Sequence, residues 1–145
     1  MTDRPFACRL GLCVAAMAVL AAGPAKAHHS FNAYDMRKTK TVSATIKEFR
    51  WGAPHSSVAV IYVDKNKKQQ VMSLISGSPL SFSKQGLAPR DFRSGDKVIV
   101  TYHPTTSGAP GGALAMLSVA GGKTYKDAEV SAAAASLGVP GTSGN

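Results

Sequence analysis

Histidine supplies most of the chemistry this chain can offer. Its four imidazoles are His28, His29, His55 and His103, and none sits inside an alternating apolar run that would mark it as a strand's core residue. His28 and His29 follow Ala25-Lys26-Ala27, which puts small residues at the two positions a signal peptidase reads. Cleavage there makes His28 the first residue, carrying an α-amine and an imidazole together, and those two nitrogens close a chelate ring on a metal ion. An α-amine titrates at about 7.7–8.0 and a free imidazole at about 6.5, so a metal displaces both protons near neutrality. Nitrogen-rich tetragonal sites suit Cu(II), which also heads the divalent affinity series. A second arrangement uses the α-amine, the deprotonated amide and the imidazole of His29. Zinc on three imidazoles is the rival metal, and Met36 offers a soft sulfur to Cu(I).

Each residue also has a plainer reading. A terminal histidine pair binds any Cu(II) weakly without function, His55 can hydrogen-bond a loop backbone, and Met36 can be a hydrophobic contact. Trp51 is either a barrel-closing core residue or an aromatic ligand surface beside His55.

The expectation of export rests on the order of features over residues 1–27. Arg4 and Arg9 precede the uncharged apolar run Leu10 to Ala22, which is too short for a stable membrane anchor. Gly23-Pro24 breaks it before Ala-Lys-Ala. The destination is the periplasm. Both cysteines, Cys8 and Cys13, leave with the signal, so the mature domain holds together without a disulfide and any metal site is built from N and O donors, with a Met sulfur as the one soft addition. Loss of Arg4, Arg9, Lys26 and Asp3 takes the net charge from +9 to +7. The positives fall in turns, at Arg37-Lys38-Lys40, Lys65-Lys67-Lys68 and Arg90-Arg93. The compartment disfavours nucleic acid, and no membrane-spanning segment follows the signal; solvated turns account for these charges, with attraction to anionic partners in the envelope as the second reading.

Enzyme signatures are absent: there is no Gly-x-Ser-x-Gly, P-loop, His-Glu-x-x-His or Cys-x-x-Cys. The aspartates, Asp127 among them, read as turn or capping residues, which leaves little for carboxylate acid–base catalysis.

A small β domain must position these residues. Thr41 to Phe49 alternates Val42, Ala44 and Ile46 against polar residues, as a half-buried strand does. Ser57 to Val63 is β-branched and nearly continuous, predicting burial on both faces. Gln69 to Ile75 follows, then Ser78-Pro79 as cap and first residue of a short helix over Leu80 to Gln85. Gly86 suits its C-terminal cap, with Leu87 and Phe92 packing behind it. Lys97 to Tyr102 and Ala113 to Val119 complete five strands. The expected buried set is Val42, Ile46, Val60, Ile61, Val71, Ile75, Val98, Val100, Leu117 and Val119, with Met72 and Met116 also in the core. Three strands, a helix and two strands is the order of a mainly β, OB-like Greek-key barrel, with an open β-sandwich as the alternative. The domain spans 28–127, and 128–145 reads as a flexible Ala/Ser/Gly-rich tail with at most one turn of helix.

The segments Ala27-His28-His29-Ser30-Phe31, Tyr34-Asp35, Phe49-Arg50-Trp51-Gly52-Ala53-Pro54-His55-Ser56 and Gly95-Asp96-Lys97-Val98 resemble a family of small exported bacterial proteins of unknown function. Its members open with His-His-Ser-Phe after the signal and carry a Pro-His segment, then a Gly-Asp-x-Val strand. The resemblance covers about His28 to Lys126. This chain has Gly52-Ala53 where Asn commonly precedes Pro, and Tyr102 where Gly commonly precedes His103-Pro104. The resemblance implies an exported small β-barrel and supplies no activity.

Two functional readings follow. One is a periplasmic module holding copper, or less readily zinc, through His28, His29, His55 and His103. The other is a metal-free interaction domain that binds an anionic ligand or partner protein across Trp51, His55 and the basic turns. A copper oxygenase built on an N-terminal histidine brace would need a substrate surface that the sequence does not display.

Overall fold

A computed structural model describes residues 31–138; the expected signal segment 1–27, His28, His29 and residues 139–145 lie outside the described residues. Six strands form one sheet: β1 (Lys40–Arg50), β2 (Ser57–Val63), β3 (Gln69–Ile75), β4 (Lys97–Pro104), β5 (Gly111–Val119) and β6 (Thr124–Lys126). Two helices accompany them, α1 (Pro79–Ser83) and α2 (Ala128–Ser136). The strand order is β3-β2-β1-β4-β5-β6, and a parallel pairing of Ser73–Ile75 with Gly111–Ala113 joins β3 to β5 and closes the barrel. Strands β1–β5 make the expected five-stranded OB-like barrel; β6 is an extra strand hydrogen-bonded to β5.

Alternation builds the interior. Ala44 and Ile46 of β1, Val58 and Val60 of β2, Met72 and Leu74 of β3, Val98, Val100 and Tyr102 of β4, and Leu114 and Leu117 of β5 form one buried cluster. A β-bulge between Ile46 and Glu48 adds a residue to β1 and turns Phe49 back inward.

Three packing expectations need correction. Strand β2 is covered on one face only: Val63 is 62% exposed and Ile61 half-buried, because no layer lies over the outside of the barrel there. In β3 the inward pair is Met72 and Leu74, while Val71 is 48% exposed. The period of two makes a one-residue slip in reading β3 exchange its faces. Val42, Ile75, Met116 and Val119 are half-buried.

One end of the barrel is plugged with aromatics. Pro79 starts α1 behind Ser78, whose side chain makes no capping bond. Gly86 takes φ +71°, ending the turn so that Leu87 and Phe92 pack inward as expected. Phe82 lies at the centre, stacked on Tyr125 at 3.7 Å and edge-on to Phe92 and Phe49.

The stretch after Lys126 differs from the expected flexible tail. The Asp127 side chain accepts from the Glu129 and Val130 N–H groups and caps α2. Val130 and Ala134 are buried in a second apolar cluster with Met36, Ala113 and Ala115. The alternating small residues of β5 leave room outside the barrel for a helix, which composition alone conceals.

Candidate functional site

His55 sits in the β1–β2 connection, two residues after the cis Ala53–Pro54 peptide. Two backbone bonds lock this connection to the chain leaving β3: Ser56 N–H to the Gly77 carbonyl and Ser76 N–H to the Ser56 carbonyl, each 2.9 Å. Ser56 is fully buried, and its hydroxyl has no hydrogen-bond partner among the described residues. Across this junction the His55 Nδ1–H donates to the Ser76 carbonyl at 3.2 Å. A carbonyl only accepts, so Nδ1 carries the hydrogen in this bond.

Behind Ser76 stands Asp127, whose carboxylate is fully buried. One oxygen accepts from Gly77 N–H at 2.7 Å, Tyr125 Oη at 3.1 Å and Ser76 Oγ at 3.2 Å. The other accepts from Glu129 and Val130 N–H at 3.0 Å each. Five donors satisfy the buried carboxyl group. Burial, above all, pushes the Tyr125 phenol well above the ordinary tyrosine range, so it stays a donor. Asp127 thus fixes the strand exit that orients His55, the capping of α2 and the base of the aromatic plug. The sequence signal was an aspartate two residues after an aromatic and just before an Ala-rich run; spacing revealed the cap and not the burial.

An arm leads to this place from the N-terminal side. A 3-10 turn, Phe31–Ala33, precedes Tyr34, which bridges to Thr105. The Asp35 N–H donates to the Pro104 carbonyl and the Thr106 N–H to the Ala33 carbonyl. The arm is therefore zipped onto the β4–β5 loop, with Met36 buried beneath it. Phe31, Tyr34, His55, Ile75, Ser76 and Glu129 are among the residues around a cavity of about 190 Å³. The arm and His55 thus meet at one opening.

His103 lies elsewhere. It is 4% exposed, on the face of β4 opposite Tyr102, and its Nδ1–H donates to the Lys38 carbonyl at 2.9 Å. Along the sheet His103 pairs with Ala113, Ala113 with Ile75, and Ile75 with Ser57. Followed along the sheet, a path of three strand spacings, about 14 Å, leads from it to the start of β2. His55 and His103 are not brought together. Among the described residues no three His, Cys, Asp or Glu side chains group closely enough to hold a metal. His28 and His29 lie outside the described residues. Trp51 is half-buried, packed at 5.2 Å on Phe82 and 6.0 Å from Phe49, so part of it belongs to the plug. The described residues contain no helix long and apolar enough to cross a membrane.

Residues 16–115 match the model of a family described as a family of unknown function, DUF6152. The match includes His28, His29, His55 and His103. No curated protein and no solved structure matches the chain.

Proposed function

The chain belongs to that family of unknown function, and from this premise we propose that it is an exported, periplasmic module that binds copper where the arm meets the β1–β2 connection. The ligand set in this reading is the α-amine and imidazole of His28, the imidazole of His29, and Nε2 of His55.

One observation carries the reading: Phe31, two residues after His29, borders the same cavity as His55. Three residues of chain span at most about 10 Å, a length that permits residue 28 to approach the cavity from Phe31. Support also comes from the His55 ring itself. Its Nδ1–H is held by the Ser76 carbonyl, the arrangement by which metal-binding imidazoles are oriented from behind. The described residues do not form a metal site alone, so the reading depends on the processed N-terminus. His103 serves it indirectly, by holding the arm at Lys38.

Copper analysis and Cu(II) titration of purified protein whose N-terminus is verified as His28 test the proposal. One equivalent of tightly held copper is the expected result. Copper-free protein that shows no saturable Cu(II) binding turns the balance to the metal-free interaction domain; preferential retention of zinc replaces the metal and keeps the site.

A further inference from the structure

Among the described residues, only one of the barrel's two ends is plugged. At the other, the inward-facing positions beyond the apolar core are Lys40, which pairs with Tyr102, and Tyr62, which follows Val58 and Val60 on the same face of β2. With the β4–β5 loop they border a cavity of about 300 Å³, which Asp35 and Lys38 also line. No histidine among the described residues lines it, so it is argued apart from the copper reading.

Polar groups without partners converge on this cavity. Tyr102 is 6% exposed, yet neither its hydroxyl nor that of Tyr62 has a hydrogen-bond partner among the described residues. The Tyr102 hydroxyl is not one of the buried, orphaned atoms, so it opens into the cavity from a buried ring. Burial, and secondarily Tyr62 beside it, raises the Tyr102 phenol above its ordinary range, which keeps it a donor. Lys38 is already neutralised by Asp35 at 2.9 Å. Lys40 has no carboxylate partner among the described residues. The lining therefore carries one uncompensated positive charge and two phenolic donors.

We propose that this unplugged barrel end is a binding site for a small oxyanion, a carboxylate or phosphate group, held by the Lys40 ammonium and the Tyr62 and Tyr102 hydroxyls. Charge-assisted bonds to an ammonium and phenols suit such a group. Asp35 sets the selectivity: its own carboxylate occupies Lys38 and repels a second negative charge, so singly charged groups are preferred.

NMR titration of the copper-free protein with acetate and, separately, inorganic phosphate tests this, using the Tyr62 and Tyr102 ring signals and the loop amides as probes. Saturable shifts confined to these signals are expected. Tyr102→Phe keeps the ring and should weaken binding several-fold, and Lys40→Met about tenfold. Asp35→Asn releases Lys38 and should tighten binding, more for phosphate than for acetate. Which probe binds tighter to the native protein distinguishes a carboxylate from a phosphate ligand. If binding is absent, or is the same in native, Lys40→Met and Tyr102→Phe proteins with unchanged thermal midpoints, the contact is an adventitious ion only and the proposal fails.

Discussion

His55 and Asp127 are 72 positions apart in sequence, yet both act on one residue: His55 donates to the Ser76 carbonyl while the Ser76 hydroxyl donates to Asp127. The ring that faces the cavity is thereby oriented by a carboxylate that never touches it. Because the same carboxylate caps α2 and receives the Tyr125 hydroxyl, the aromatic plug, the C-terminal helix and the candidate metal site share one anchor.

Replacing Asp127 with Ala leaves five donors short of an acceptor. Loss of a cap costs about 1 kcal/mol, and each orphaned buried donor roughly 1–3 kcal/mol before relaxation, so a total loss of about 3 kcal/mol or more is expected in urea unfolding. Asp127→Asn, which can still cap α2, should lose clearly less. Equal losses would mean that the bonds an amide retains contribute nothing and that the carboxylate charge carries the whole effect.

Ser56→Ala should have the opposite sign. The hydroxyl is buried without a partner, so its removal restores no penalty and relieves one, by about 1 kcal/mol. A measured destabilisation beyond about 1 kcal/mol would contradict a hydroxyl without a partner.

Gly112 is fixed by space. A Cβ added there would collide with the His103 carbonyl oxygen and lie 2.7 Å from Tyr102 Cδ2. Both neighbours are held by the β4–β5 ladder, so Gly112→Ala should cost about 3 kcal/mol through forced backbone displacement. Circular-dichroism melts of the variant check this, and an unchanged midpoint would contradict the close approach.

Alkaline stability should follow Tyr125. Its phenol titrates higher in the folded protein than the ordinary value of 10.0. The folded state therefore holds this proton more tightly. The resulting contribution to stability is complete below pH 10 and is lost as pH rises above it. Tyr125→Phe should be less stable at neutral pH, because Asp127 loses a donor, but should show a shallower decline between pH 10 and 11. A decline of the same slope in both proteins would assign the effect to other groups.

Much of this architecture is legible in the sequence because it is periodic. Ala44 and Ile46, Val98 and Val100, and the Ser78-Pro79 start of α1 announce themselves by spacing and local chemistry. The strand pairings that close the barrel do not: the parallel contact of β3 with β5 depends on glycines, Gly111 and Gly112, that allow close approach and carry no hydrophobic signal. Val71 and Ile75 are as apolar as Met72 and Leu74, so the polar Ser73 between them was the better guide to the inward face. Tyr125 and α2 were obscured for a related reason. A three-residue strand gives too short a pattern, and alanines bury against alanines without bulk. At the candidate site the histidines were visible as residue types. Their separation into His55 beside the arm and His103 beneath Lys38 depends on sheet register, which types and counts do not encode.

The most direct measurement of the copper proposal compares protein that starts at His28 with protein carrying one extra residue before it, and with His55→Ala in the first form. The extra residue turns the His28 amine into an amide and leaves the barrel unaltered, so Cu(II) affinity should fall by several orders of magnitude, as it would for loss of a chelate nitrogen. His55→Ala removes a ligand nitrogen and should lower affinity by more than the about 10- to 100-fold that loss of an outer-shell partner costs, with the thermal midpoint nearly unchanged. Cu(II) binding of equal strength in all three proteins would contradict a site built from the N-terminus and His55.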